Sequence, residues 1–589
     1  MATHPAMREE GPWNPGIESQ IPPPLLPLAT LYRPEHTRSP LRDLRELSDL
    51  TGLPLRDIAT FRPERLALHE LLVRVTANIS VPDGTRIEDL GINFRQITRT
   101  ILEKDVASDK EAIAQAYASA RKAVASVIDR ELARIFPAAS AATAPPATGW
   151  LARLWGPREP RTLRPPTPPS EGEFVAEWES RARTSHESER AALRALAKVV
   201  SALLVKHERL WGDRDLVARI ATDLAANEWG SAVIGEQIET LVAQAAQREG
   251  FRVLQRQEHP VVMNTKGPSA AGKSTMRPLQ KKLAGRIGVD WGEFALISPD
   301  IWRKQLLDYG SLGADYKYAG AFTGDELAIV DQKLDSYMAR KAERNQMSHL
   351  LIDRFRFDSF APDSDEAGSN LLTRFGQIVY LFFLVTPPAA LVERAWNRGL
   401  DVGRYKAVDD TLAHAVEAYA GMPELFFTWI RRADKRVHFE FLDNSVPRGE
   451  PPRTAAFGWN DMLNVLDVEC LLDIERYRKH DIGAQAPDDL FPDRETLDPA
   501  RNAGFLRKCL EEFGEVNFAE RATGYVYLRV GTGRVEWVDA QVLEKTLEPA
   551  SHRALAGILS GIGSADAPAA RTFLPDEEAV HTVGTWKLQ

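Results

Sequence analysis

Two hydrophobic rhythms divide the chain. From about residue 41 to 136, segments such as SPLRDLRELSDLTG and DKEAIAQAYASARKAVASVIDRELARIF place apolar residues at helical spacing. The same spacing returns from 174 to about 254, in EFVAEWESRARTSHESERAALRALAKVVSALLVKHERLW and DRDLVARIATDLAANEWGSAVIGEQIETLVAQAAQ. After residue 258 the rhythm changes to short apolar runs set between helical stretches: PVVMNT, FALIS, HLLID, QIVYLFFLV and VHFEFLD. Strands separated by helices imply crossover connections, so residues 255–446 are expected to form an α/β core, a parallel sheet flanked by helices.

The remaining segments are read from composition. Residues 1–40, with IPPPLLPLATLYRP, read as a Pro-rich, extended and poorly ordered arm. Residues 137–173 (PAASAATAPPATG to RTLRPPTPPSEGE) read as a Pro/Ala-rich linker, because such a stretch cannot build a core. Residues 41–136 form a helical domain, and 174–254, joined to the α/β core without a linker, are expected to pack on it. Residues 447–589 read as a mixed α/β C-terminal region in which GYVYLRVGTGRVEWVDA forms a hairpin around Gly-Thr-Gly.

Length and composition narrow the function classes. A chain of 589 residues, 44% hydrophobic and 27% charged, is an ordinary globular protein of several domains. Its two cysteines, Cys470 and Cys509, exclude a disulfide framework or a Cys-rich metal site and suit a reducing compartment. No apolar stretch is long enough to span a membrane. The N-terminus lacks the order of a secretory signal, so a cytoplasmic location is expected, with delivery into a target cell by a route that reads no such signal as the other case. A net charge of −9 disfavours nucleic acid as the partner.

The chemistry begins at GPSAAGKST. This fits G-x-x-x-x-G-K-[ST], and its context is the required one: VVMN supplies a strand before it and KSTMRPLQKKLAGRIG a helix after it. Gly267, Pro268, Ser269, Ala270, Ala271, Gly272, Lys273, Ser274 and Thr275 would cradle the phosphates of ATP on backbone N–H groups and a helix N-terminus. Lys273 would reach the β- and γ-phosphates and Ser274 would ligate Mg²⁺. Pro278 is expected to kink the following helix.

Downstream residues decide what receives the phosphate. Asp300, just past the second strand in SPDIWR, can take the proton of an acceptor hydroxyl or can cap a helix. Arg303, one turn on, can hold it or bind substrate. Glu326 opens a helix and is either a substrate contact or a solvated first-turn acid. Asp353 ends the third strand and can act on Mg²⁺, on substrate, or stand as a loop acid; Arg356 follows it as a substrate-binding candidate. Arg394, Arg398 and Arg404 belong to a helix and the loop after it. They can neutralise a transferring phosphoryl group or form a charged, solvated face. Asp443 and Asn444 end the last strand as nucleotide contacts or, preferably, as turn residues.

In this order, GPSAAGKST, SPDIWR, TGDE, LLID, RAWNRGLDVGR and FLDNS resemble the zeta-toxin family of P-loop kinases, over roughly residues 258 to 446. The resemblance implies that Asp300 is the general base, that Lys273 grips ATP, and that Arg394, Arg398 or Arg404 forms a closing lid. It also implies a nucleotide-linked acceptor, the 3′-hydroxyl of UDP-N-acetylglucosamine. Where members tend to carry glutamate-glycine-threonine after the third strand, this chain has Asp353-Arg354-Phe355. A related branch, plant-pathogen effector kinases, phosphorylates NAD at the adenosine 3′-hydroxyl. The expected protein is therefore a toxin-like or effector-like kinase dependent on ATP and Mg²⁺. Its partner would be an antitoxin or its own helical region acting as a built-in inhibitor. A polynucleotide 5′-hydroxyl kinase and a non-catalytic ATP-dependent switch are the alternatives.

Overall fold

The computed structural model describes residues 10–136, 170–210, 212–354, 370–564 and 572–587. Most of the 137–173 linker, together with Phe355 and Arg356, lies outside the described residues. The chain divides into two compact units: Met1–Thr30, Leu72–Thr100 and Val242–Gln589 in one, Leu31–Leu71 and Ile101–Leu241 in the other. Among the described residues no helix is long and apolar enough to cross a membrane.

The second unit is helical. Its long helices Lys110–Ile135, Glu171–Ala182 and Glu187–His207 carry buried alanines, leucines and valines at helical spacing. Ser170 caps the second of them in a reciprocal capping box with Glu173. A charged knot sits inside: Glu131, 2% exposed, accepts from Arg181, Arg134 and the indole of fully buried Trp178 at 2.7–3.2 Å. Burial alone would raise this carboxyl, but the bonds from Arg181, Arg134 and Trp178 outweigh it and hold the group at about 2.

The first unit is built on one 11-stranded sheet, in the order β11-β10-β9-β8-β7-β6-β5-β4-β1-β3-β2. Five strands match the five apolar runs: β1 (Val261–Lys266), β2 (Phe294–Ile297), β3 (His349–Asp353), β4 (Ile378–Val385) and β5 (Arg436–Asp443). All their pairings are parallel, and nearly every residue in them is buried, as expected for strands covered on both faces. The sheet does not stop at β5. β6 (Arg453–Trp459) adds antiparallel to it and β7 (Met462–Val465) to β6, while β8 (Glu515–Ala519) lies parallel to β7. β9 (Val526–Gly531) and β10 (Arg534–Val538) form the expected hairpin, with Thr532 and Gly533 both at positive φ in the turn, and β11 (Gly563–Ser564) closes the edge.

The extension is welded to the parallel part. Phe426, from the helix Val408–Ile430, meets Phe439 and Phe441 of β5 at 4.8 and 5.1 Å and Phe505 and Phe513 of the extension at 5.8 and 5.9 Å. Fully buried Glu440, in the middle of β5, accepts from Thr454 Oγ1 (2.7 Å), Val583 N (2.7 Å) and Gly584 N (3.0 Å), so the final segment is tied to the sheet. Burial pushes its carboxyl up to about 7 despite these three donors.

Two expectations need correction. From residue 10 the Pro-rich arm is ordered: Pro23–Leu28 and Thr30–Tyr32 form 3₁₀ turns, and Ala29, Leu31 and Tyr32 are buried. Thr30 Oγ1 donates to Phe322 O, and Lys317 pairs with Glu10 and donates to Pro15 O. The prolines fix φ, and the leucines and tyrosine between them have somewhere to bury. Pro278 does not kink a helix. A 3₁₀ turn covers Lys273–Met276, the α-helix starts at Arg277, and Pro278 falls in its first turn, where a missing N–H breaks no bond.

Candidate functional site

The C-terminal ends of β1 to β5 deliver the candidate residues to one edge of the sheet, at the point where strand order reverses between β3 and β4 around β1. The 267–275 loop leaves β1 there. Its two glycines are required by geometry. A Cβ on Gly267 would come within 3.0 Å of Leu384 Cβ and 3.2 Å of Leu384 O, and Gly272 has φ 96° with Asn444 Nδ2 only 2.7 Å from where a Cβ would sit. Ala270 also takes a positive φ, 65°, so two left-handed residues, Ala270 and Gly272, bend the loop back around its centre.

Lys273 reaches back across that centre, its Nζ 3.0 Å from both Gly267 O and Pro268 O. Burial lowers its ammonium below the ordinary lysine value, against the attraction of Asp353 and Asp300. Ser274 Oγ donates to Asp353 Oδ2 at 2.8 Å, and Ser298 Oγ donates to the same oxygen at 3.4 Å. A hydroxyl and a carboxylate so placed form a hard-oxygen pair of the kind Mg²⁺ takes when phosphates and water complete its shell. Among the described residues no group of three or more His, Cys, Asp or Glu side chains could hold a metal by itself.

Asp300 lies across the crevice. Arg303 Nε donates to its Oδ1 at 2.9 Å and Arg404 Nη2 pairs with its Oδ2 at 2.6 Å. The side chain is 44% exposed, with protein packed closely around it. Those surroundings alone would raise its carboxyl; Arg404 and Arg303 outweigh them and hold it far below the usual carboxylate range. Arg303 is fixed in turn by Gly320 O and Thr323 Oγ1, both at 2.7 Å. Arg398 donates to Arg404 O at 3.4 Å, and burial beside Arg404 lowers its guanidinium.

The remaining candidates separate. Arg394 shares a helix with Arg398 but donates to Asn444 O (2.8 Å) and Val446 O (3.1 Å), so it ties down the loop after β5. Glu326 is fully buried at the start of the helix Gly324–Glu343, not the solvated acid its sequence position allows. Arg354, directly after Asp353, is 3–4% exposed and pairs with Asp331 and Asp335 at 2.6 Å, anchoring β3 to that same helix. Asp443 is a turn residue, accepting from Ser445 N at 2.9 Å.

Asn444, read as a turn residue, has a further use, and Lys406 escaped the motif reading. Asn444 Nδ2 donates to Ala271 O at 2.6 Å, so the end of β5 holds the 267–275 loop in shape. Lys406, two residues beyond Arg404, contacts His414 and lies 3.5 Å from Asp410; burial and the nearby Arg398, against the pull of Asp410, lower its ammonium to about 7. The signal for Lys406 was a further cation in RYK on the arginine-bearing loop. The chain matches no known family model, no curated protein and no solved structure.

Proposed function

We propose that this protein is a phosphotransferase that moves the γ-phosphoryl group of ATP to an alcohol of a nucleotide-linked small molecule, as UDP-N-acetylglucosamine or NAD would present. The reading rests on one arrangement: a glycine-bounded loop with Lys273 at its centre, facing Asp300 across a crevice crossed by Arg404. ATP with Mg²⁺, when bound, supplies the transferable phosphoryl group. Ser274 and Asp353 are the residues that would hold the metal.

The chain's own residues then have distinct tasks. Lys273 exchanges two backbone carbonyls for phosphate oxygens, a stronger, charge-assisted contact. Arg404 exchanges Asp300 for the phosphoryl group, with Arg398 beside it. That exchange relieves the charge that depresses Asp300 and restores its basicity, so it can accept the acceptor hydroxyl's proton. Arg303 stays with Asp300 and keeps the carboxylate aimed. A nucleotide switch would have no use for a carboxylate held in this way.

The test is transfer from γ-labelled ATP to UDP-N-acetylglucosamine and to NAD, by wild type and Asp300→Asn. The expected result is one labelled product, reduced on the order of 10²–10⁴-fold in the variant. ATP binding without transfer to any alcohol, or transfer untouched by Asp300→Asn, refutes the assignment.

A further inference from the structure

Beside Asp300 stands a row of positive charge, Arg95, Arg99 and Lys304, that makes no ion pair among the described residues. Arg95 and Arg99 are four residues apart on the helix Asp89–Ile101, so they share a face and repel each other. That helix belongs to the same compact unit as the sheet. Its Gly91 packs on Ile301, next to Asp300, with 3.8 Å from the glycine's Cβ position to Ile301 Cβ and 3.3 Å to Arg95 Nη1. Lys304 continues the row: its Nζ sits 5.5 Å from the centre of the Tyr309 ring, and it feels both Arg95 and Arg404. Tyr309 Cδ2 lies 3.9 Å from where a Cβ on Gly403, the residue before Arg404, would sit.

The balance of partners is uneven. Arg404 and Arg303 have Asp300, and Lys273 has carbonyls. Neither Arg95 nor Lys304 has an ion-pair partner among the described residues; Glu88 is the opposing charge that acts on Lys304, without pairing with it. The Tyr309 hydroxyl is buried and makes no hydrogen bond among the described residues. Like charges held together next to an unused donor cost folding free energy, and an anion seated among them would offset that cost.

We propose that Arg95, Lys304 and the Tyr309 hydroxyl form an anion subsite at the lip of the crevice that takes a phosphate group carried by the acceptor molecule itself. The inference deepens the phosphotransferase reading and rests on it. It adds to the site a helix from outside residues 258–446, and it restricts acceptors to phosphorylated ones: the alcohol meets Asp300 while a phosphate some ångströms along the same molecule is held by Arg95 and Lys304. Free sugars and nucleosides lack that second contact.

Equilibrium dialysis of labelled pyrophosphate against the full chain saturated with Mg·AMPPNP tests the subsite, because the analogue fills the 267–275 loop. One saturable pyrophosphate site is expected, weakened about tenfold or more in Arg95→Gln/Lys304→Gln and roughly twofold to fivefold in Tyr309→Phe, with AMPPNP affinity unchanged. AMPPNP saturation with no pyrophosphate site, or with a site indifferent to these substitutions, overturns the subsite alone. A chain that takes up no AMPPNP overturns the phosphotransferase reading and the subsite with it.

Discussion

The two halves of the sheet use polar residues in opposite ways. In the parallel half, β2-β3-β1-β4-β5, the polar groups beyond the strand ends hold one another by contacts a ligand can replace: Lys273 on carbonyls, Arg404 on Asp300, Ser274 on Asp353. In the extension, β6 to β10, they lie within strands and close on themselves. Asn517 donates to Asn464 Oδ1 at 3.1 Å and accepts from Arg529 Nε at 2.8 Å. Glu440, where the halves join, spends its oxygens on one hydroxyl and two backbone N–H groups. An interior hydrogen-bond network fixes structure, whereas charges paired at an open edge are free to exchange partners.

That contrast can be broken at defined points. Arg404→Ala should have the largest effect, lowering transfer on the order of 10²–10³-fold while leaving the melting temperature close to wild type. Its pH profile should change as well. With Arg404 present Asp300 stays ionised well below the ordinary carboxylate range, so the acid limb of kcat/KM should move upward in the variant, with Arg303 still holding part of the depression.

Phe426→Ala should do the reverse, costing about 3–5 kcal/mol in denaturant unfolding by opening a cavity between β5 and the extension. Glu440 gives a pH signature of the join. Between about 4.5 and about 7 the folded chain keeps a proton that the unfolded chain has lost, so stability should fall as pH rises through that window, by up to about 3 kcal/mol. Glu440→Gln should flatten the dependence, at a cost of about 1–3 kcal/mol for opposing a backbone donor with an amide N–H₂. The smallest effect is expected at Asn444→Ala: about 1 kcal/mol of stability, with a measurable weakening of AMPPNP binding as the 267–275 loop loses its tether. Equal losses of transfer and stability in every variant would erase the distinction between the halves.

The parallel half was the legible part. Strands buried on both faces read as unbroken apolar runs, and residues placed just after such runs, Lys273, Asp300 and Asp353, land at one edge because parallel strands all end on the same side. The extension was less so, because most of its strands are short. RTAAFGW and MLNV carry a tight Asn-Asp turn between them, yet nothing local says that they continue a sheet begun at residue 261. Arg394 and Arg398 look alike in sequence and differ in use because one reaches the loop after β5 and the other the crevice. The Pro-rich arm misled because composition reports the lack of a core within a segment and is blind to a core supplied from elsewhere, as at Leu31.

The antiparallel join between β5 and β6 has a practical consequence. A polypeptide ending near residue 446 would keep every residue of the Lys273 and Asp300 crevice but would leave the eight residues of β5 with a bare row of N–H and C=O groups. Such a row templates strands from other molecules. The stripped protein should therefore precipitate or pair with itself, and the crevice is best studied with the strands of the extension left in place.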